Sequence, residues 1–173
     1  MQNSLVMTII GKDRTGLVES LARLIADNHG NWLESRMCRL GGEFAGILRI
    51  EIPEVREQIL VQALQSLQSE GLTTVIRRDE TIAAVGATRN ASLSMIGQDR
   101  PGIIYQISAV LAGHNINVEE LESQNFSAPM SGEMMFSALA RLQIPISCVE
   151  ADLRGELEKL GTELMVDISF SEE

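Results

Sequence analysis

A duplication constrains this chain more than any other feature of its sequence. Gly11-Lys12-Asp13-Arg14-Thr15-Gly16 returns 86 residues later as Gly97-Gln98-Asp99-Arg100-Pro101-Gly102. At the same offset Ile10 meets Ile96, Ala26 meets Ala112, Asn31 meets Asn117 and Glu34 meets Glu120. The apolar positions Leu17, Leu21 and Ile25 likewise meet Ile103, Ile107 and Leu111. Further on the offset grows to 92, and Phe44, Arg49, Ile52 and Pro53 align with Phe136, Arg141, Ile144 and Pro145. Six extra residues therefore enter the second copy between Glu122 and Met135, and Ser127-Ala128-Pro129-Met130-Ser131-Gly132 reads as the loop that holds them. The expected organisation is one unit at residues 1–80, a linker at 81–89 and a second unit at 90–173.

Hydrophobic period orders the elements within each copy. Ser4–Ile10 reads as a strand, and Leu17, Leu21, Leu24, Ile25 and Asn28 share one face of a helix that ends near His29-Gly30. Trp32–Leu40 and Glu43–Ile52 read as two strands joined at Gly41-Gly42, a hairpin signal. A helix over Val55–Gln68, stopped by Gly71, precedes a β-rich run at Leu72–Ile76. The second copy repeats the order with Ala91–Ile96, Pro101–His114, Ile116–Phe126, Glu133–Ile144, Val149–Leu160 and Leu164–Phe170. The fold class is α+β: two tandem ferredoxin-like β-α-β-β-α-β units, each a four-stranded antiparallel sheet with two helices on one face. The connecting stretch Arg77–Arg89 contains a β-like segment, Thr81–Val85.

Composition excludes several function classes. With 14 Lys+Arg against 24 Asp+Glu the formal net charge is -10, and aromatic residues make up 3% of the chain. That combination disfavours nucleic acid as a direct partner, since phosphate neutralisation needs clustered cations and base stacking needs rings. The acidity is uneven: residues 1–86 hold 9 basic and 11 acidic side chains, residues 87–173 hold 5 and 13. Cys38 and Cys148 form neither a metal-like pair nor a disulfide framework, which points to a reducing compartment. The N-terminus has no basic region ahead of its short apolar run, and no apolar stretch approaches the ~20 residues of a membrane span. A cytoplasmic protein is expected.

The repeated hexapeptide lies where the first strand of a unit hands over to a helix. The first backbone N–H groups of a helix lack intrahelical acceptors and attract small anions, carboxylates included. Two readings of Asp13 and Asp99 follow. In one they cap the helix they precede. In the other they hold the ammonium of a zwitterion whose carboxylate rests on N–H groups at Gly16-Leu17 or Gly102-Ile103. Asn31 and Asn117, at the entry to the second strand, would add an amide able to donate and accept.

A β-α-β-β-α-β unit carrying Asp-Arg-[Thr/Pro]-Gly-[Leu/Ile], and then Gly30-Asn31 or Asn115-Ile116-Asn117-Val118, resembles an ACT domain, the small regulatory module that senses amino acids. The resemblance spans nearly all of the chain, and its motif occurs twice. It implies a ligand held at an interface between two units, by the first strand–helix loop of one and contacts from its neighbour. The positions carried over are Gly11, Asp13, Gly16, Leu17 and Asn31, and Gly97, Asp99, Gly102, Ile103 and Asn117. Thr15 departs from the motif's proline and removes a preset φ at the helix start. Two units that leave no room for an enzyme are similar to ACT regulators of the repressor type. That likeness implies a non-enzymatic protein, without metal or cofactor, that binds a small amino acid, glycine foremost. It further implies control of glycine cleavage genes through a LysR-type activator as protein partner, with no direct contact to nucleic acid or membrane. A homodimer is compatible with it.

Two other classes remain open. One is a ligand-free scaffold that dimerises or docks on a metabolic enzyme. The other is a small enzyme on a ferredoxin-like sheet, such as an acyl-phosphate hydrolase, for which the chain offers no phosphate loop with paired Arg and Asn. His29 and His114 lie near helix ends with no carboxylate spacing that marks a metal site. Cys38, near Arg36 and Arg39, lacks the positioned base a nucleophile needs. Glu119, Glu120 and Glu122 read either as a patch for a basic partner or as a solvated strand edge. Met130, Met134 and Met135 read either as an adaptable contact surface or as core filling.

Overall fold

The computed structural model describes residues 1–80 and 86–172. The chain divides into two compact units, Met1–Ile82 and Ala83–Glu173. The first runs β1 (Gln2–Lys12), α1 (Leu17–Asp27), β2 (Asn31–Leu40), β3 (Glu43–Pro53), α2 (Glu57–Ser66) and β4 (Leu72–Arg78). The second runs β5 (Thr88–Gln98), α3 (Ile103–Gly113), β6 (Asn117–Ser127), β7 (Met134–Pro145), α4 (Glu150–Leu164) and β8 (Val166–Glu172). Sheet orders are β2-β3-β1-β4 and β6-β7-β5-β8, antiparallel throughout. The duplicated β-α-β-β-α-β architecture is thus present in both units; the β-like segment Thr81–Val85 lies outside the described residues.

Strand alternation sorts each sheet into a helix-covered face and an open one. On β1, Leu5, Met7 and Ile9 are buried, whereas Thr8 and Ile10 are exposed. Leu48, Ile50 and Ile52 of the neighbouring β3 extend that face, and Leu17, Leu21 and Ile25 of α1 with Leu60 and Leu64 of α2 close over it. The second core repeats this with Leu93 and Met95 under Ile103, Ile107 and Leu111, joined by Leu153, Leu157 and Leu160. Each such side chain contributes about 1.5–3 kcal/mol relative to exposure, so each unit carries a core of its own.

Several boundaries differ from the sequence reading for local reasons. Helix α4 runs to Leu164 rather than Leu160, because Gly161 is a buried helical residue: a side chain there would meet the Val166 carbonyl oxygen at 2.7 Å. The helical stretch after β3 is shorter, with α2 flanked by 3-10 turns at Glu54–Arg56 and Leu67–Glu70. Four of the six extra residues fall in the β6–β7 loop, Ala128 to Glu133, where the first unit turns through Gly41 and Gly42, and β6 and β7 are each one residue longer than β2 and β3. Edge strands β2 and β6 both shift register at one residue, Leu33 and Glu119 respectively. Just beyond, Arg49 meets Glu34 at 3.9 Å and its counterpart Arg141 meets Glu120 at 3.7 Å. Glu120 is therefore an ion-paired residue of a bulged edge, a device that discourages strand addition. Among the described residues no helix is long and apolar enough to cross a membrane.

Candidate ligand-binding loops

The two β–α loops follow one plan. Gly16 has φ 91° and ψ 1°, and Gly102 has φ 94° and ψ -1°, left-handed conformations that favour glycine directly before α1 and α3. The backbone N–H of Asp13 donates to the Gly42 carbonyl at 3.1 Å, and that of Asp99 to the Met134 carbonyl at 2.9 Å. Each loop is thereby tied to the hairpin between the second and third strands of its unit. Leu17 and Ile103 send their side chains into the core, so only their N–H groups are available to a ligand.

Neither aspartate caps its helix: α1 and α3 begin without any side-chain capping hydrogen bond. The capping reading of Asp13 and Asp99 is corrected by what the carboxylates touch instead. Asp13 Oδ2 lies 2.7 Å from Arg39 Nε on β2. Asp99 Oδ2 accepts from Asn125 Nδ2 on β6 at 2.9 Å. Arg39 and Asn125 are counterparts at the 86-residue offset, so the duplicated position pairs one aspartate with a cation and the other with a neutral amide. The neighbouring arginines diverge in the same way. Arg14 Nη2 is 2.9 Å from Glu70 Oε2, whereas Arg100 Nη2 donates to Gln98 Oε1 at 3.1 Å and lies 3.7 Å from Met165 Sδ. Among the described residues, the loop charges of the first unit are compensated by ion pairs; those of the second meet neutral partners only.

The remaining candidates separate into two groups. Gly11 and Gly97 are packing positions: a Cβ at Gly11 would stand 2.5 Å from the Gly71 carbonyl oxygen, and one at Gly97 2.6 Å from that of Met165. Both sit where the first strand passes the turn into the last one. Asn31 and Asn117 lie at the other end of the sheet. Asn31 aligns through Glu51 with Ser4, and Asn117 through Gln143 with Asn90. Seven strand residues separate those levels from Gly11 and Gly97, about 23 Å at 3.3 Å per residue. Neither asparagine joins the loop of its own unit. Arg39, Asn125 and Arg100 are the side chains found there; the exchange of Arg39 for Asn125 at the shared offset was the signal available in the sequence. Among the described residues no group of three His, Cys, Asp or Glu side chains is arranged to hold a metal.

Residues 3–77 and 92–171 each match the ACT domain family, to which the chain belongs. The chain is 26% identical over 165 residues to the glycine cleavage system transcriptional repressor of Escherichia coli (strain K12), covering 94% of this chain and 86% of that protein. A UPF0237 protein from Methanopyrus kandleri is 39% identical over 83 residues, 48% of this chain and 87% of its own length. The solved structure of an unknown protein from Galdieria sulphuraria matches with a TM-score of 0.85 at 28% identity, covering 100% of this chain and 99% of that chain.

Proposed function

We propose that the chain is a non-enzymatic regulator whose α3 loop binds a small amino acid. The observation that carries this reading is the pair of neighbouring charges, Asp99 and Arg100, that among the described residues meet only neutral partners beside an uncapped helix N-terminus. An amino acid is the complementary object. Its carboxylate suits Arg100 and the N–H groups at Gly102 and Ile103, and its ammonium suits Asp99. The first loop, with Asp13 bound to Arg39 and Arg14 to Glu70, keeps the geometry and lacks the free charges. Glycine is the leading ligand because the end-to-end relative is a repressor of the glycine cleavage system.

Output runs through a protein partner, a LysR-type activator of glycine cleavage genes, rather than through operator DNA; a net charge of -10 favours that route. The ligand acts by its differential affinity for the activator-competent arrangement. A thermal-shift titration of the full chain against the twenty amino acids tests the ligand arm, since a native-state ligand stabilises by RT ln(1 + [L]/Kd). A selective rise for glycine or serine, absent in Asp99→Ala, supports it. No rise for any amino acid rejects it and leaves the ligand-free scaffold.

A further inference from the structure

We infer that Cys148 is a modification site: a thiol activated by His114 that takes small electrophiles of the hydroperoxide class. Cys148 immediately precedes Val149, the N-cap of α4, and its N–H donates to the Pro145 carbonyl at 2.9 Å. Its Sγ lies 3.9 Å from His114 Nδ1. His114 closes α3, and its Nε2 stands 3.4 Å from Glu156 Oε1 on α4. A carboxylate can only accept, so this contact selects the tautomer with its proton on Nε2 and leaves the Nδ1 lone pair facing the thiol. Glu156 and the C-terminus of α3 stabilise the imidazolium formed when that lone pair takes the proton. Arg89, whose Nη2 donates to the Cys148 carbonyl at 3.3 Å, fixes the backbone there, its charge being paired with Glu150 at 3.7 Å. Thiol, imidazole and carboxylate thus form one line, Cys148 to His114 to Glu156.

The duplication supplies an internal comparison. The counterpart of His114 is Asn28, whose Nδ2 bonds back to the Leu24 carbonyl, and the residues leading into α2 are Glu54, Val55 and Arg56. The first unit forms the same fold with none of the trio, so packing alone does not call for it. The site is also reachable. Cys148 is half-buried rather than sealed in the core.

In the reaction His114 accepts the thiol proton and the sulfur attacks one peroxide oxygen. The S–O bond forms as the O–O bond breaks. Sulfur is oxidised by two electrons to the sulfenic acid, and the departing oxygen takes the proton from His114 to leave as water or alcohol.

Hydrogen peroxide treatment of the full chain, with dimedone to trap sulfenic acid and peptide mass spectrometry as readout, tests this. Cys38, exposed on β2, is the reference within the same molecule. Although less exposed, Cys148 is expected to label about tenfold faster than Cys38. His114→Ala is expected to slow it about tenfold, with part of the rate restored by free imidazole. Glu156→Gln, at a more exposed position, is expected to slow it without unfolding the chain. Labelling of Cys148 no faster than Cys38 overturns the inference, as does a wild-type rate in either folded variant. If His114→Ala does not fold, Glu156→Gln decides alone.

Discussion

Asn125→Arg asks whether the uncompensated charge of Asp99 is what binds. The substitution grafts onto β6 the residue that β2 carries as Arg39, on a loop tied to its hairpin by the same backbone hydrogen bond. An arginine at 125 is expected to reach Asp99 as Arg39 reaches Asp13, at 2.7 Å, and so to occupy the carboxylate that an ammonium would use. A hydrogen bond to a charged group contributes about 1.5–3 kcal/mol, so its loss weakens binding roughly 10- to 100-fold. The graft itself changes stability little, because exposed ion pairs contribute about 0–1 kcal/mol; Arg39 is 69% exposed in the native pair. Calorimetric titration of the full chain with glycine, alongside urea unfolding, separates the two effects. Unchanged affinity in a folded Asn125→Arg protein refutes the charge argument. The reciprocal double change, Arg39→Asn with Glu70→Leu, frees both charges of the first loop and is expected to raise the binding stoichiometry.

Two glycines of the second unit differ in sign: Gly97→Ala is expected to destabilise it by about 1–3 kcal/mol through overpacking, whereas Gly155→Ala, in α4 with open space around it, stabilises by up to about 1 kcal/mol. Urea unfolding reads both, and a neutral Gly97→Ala refutes the close approach to Met165. Arg78, donating through Nε at 3.1 Å and Nη2 at 3.0 Å, and then Asn3, hold the Glu57 carboxyl below its ordinary value of 4.5. A depressed carboxyl contributes stability that is present above that value and lost as pH falls through the lower folded one; Glu57→Gln should therefore flatten the acid limb of the first unit's stability, and an identical limb in urea midpoints between about pH 3 and 6 argues against it. Purified protein alone is expected not to shift operator DNA in a gel assay; a salt-sensitive shift without the activator contradicts the indirect route.

Fold was legible because duplication and hydrophobic period are both local or self-referential signals. Leu17, Leu21 and Ile25 announce a helix face by spacing alone, and their echo at Ile103, Ile107 and Leu111 repeats it. Gly16 and Gly102 were equally readable, since the left-handed turn before each helix accepts few other residues. What the sequence hid was which end of a strand meets which loop. Asn31 and Asn117 sit near the motif in chain order, yet antiparallel pairing carries them to the far edge of the sheet. Arg39 and Asn125, at the opposite ends of the same strands, arrive beside the aspartates instead. The base for Cys148 was hidden for the same reason: His114 and Glu156 come from two helices and meet only once those helices pack on the sheet.

An amide chemical-shift titration of the full chain with glycine tests the ligand assignment most directly. Binding in the second unit predicts the largest shifts at the N–H groups from Asp99 to Ile104, with Asp13 to Val18 and the distant Asn117 little changed. Equal shifts in both loops, or shifts confined to residues away from Asp99, would contradict it.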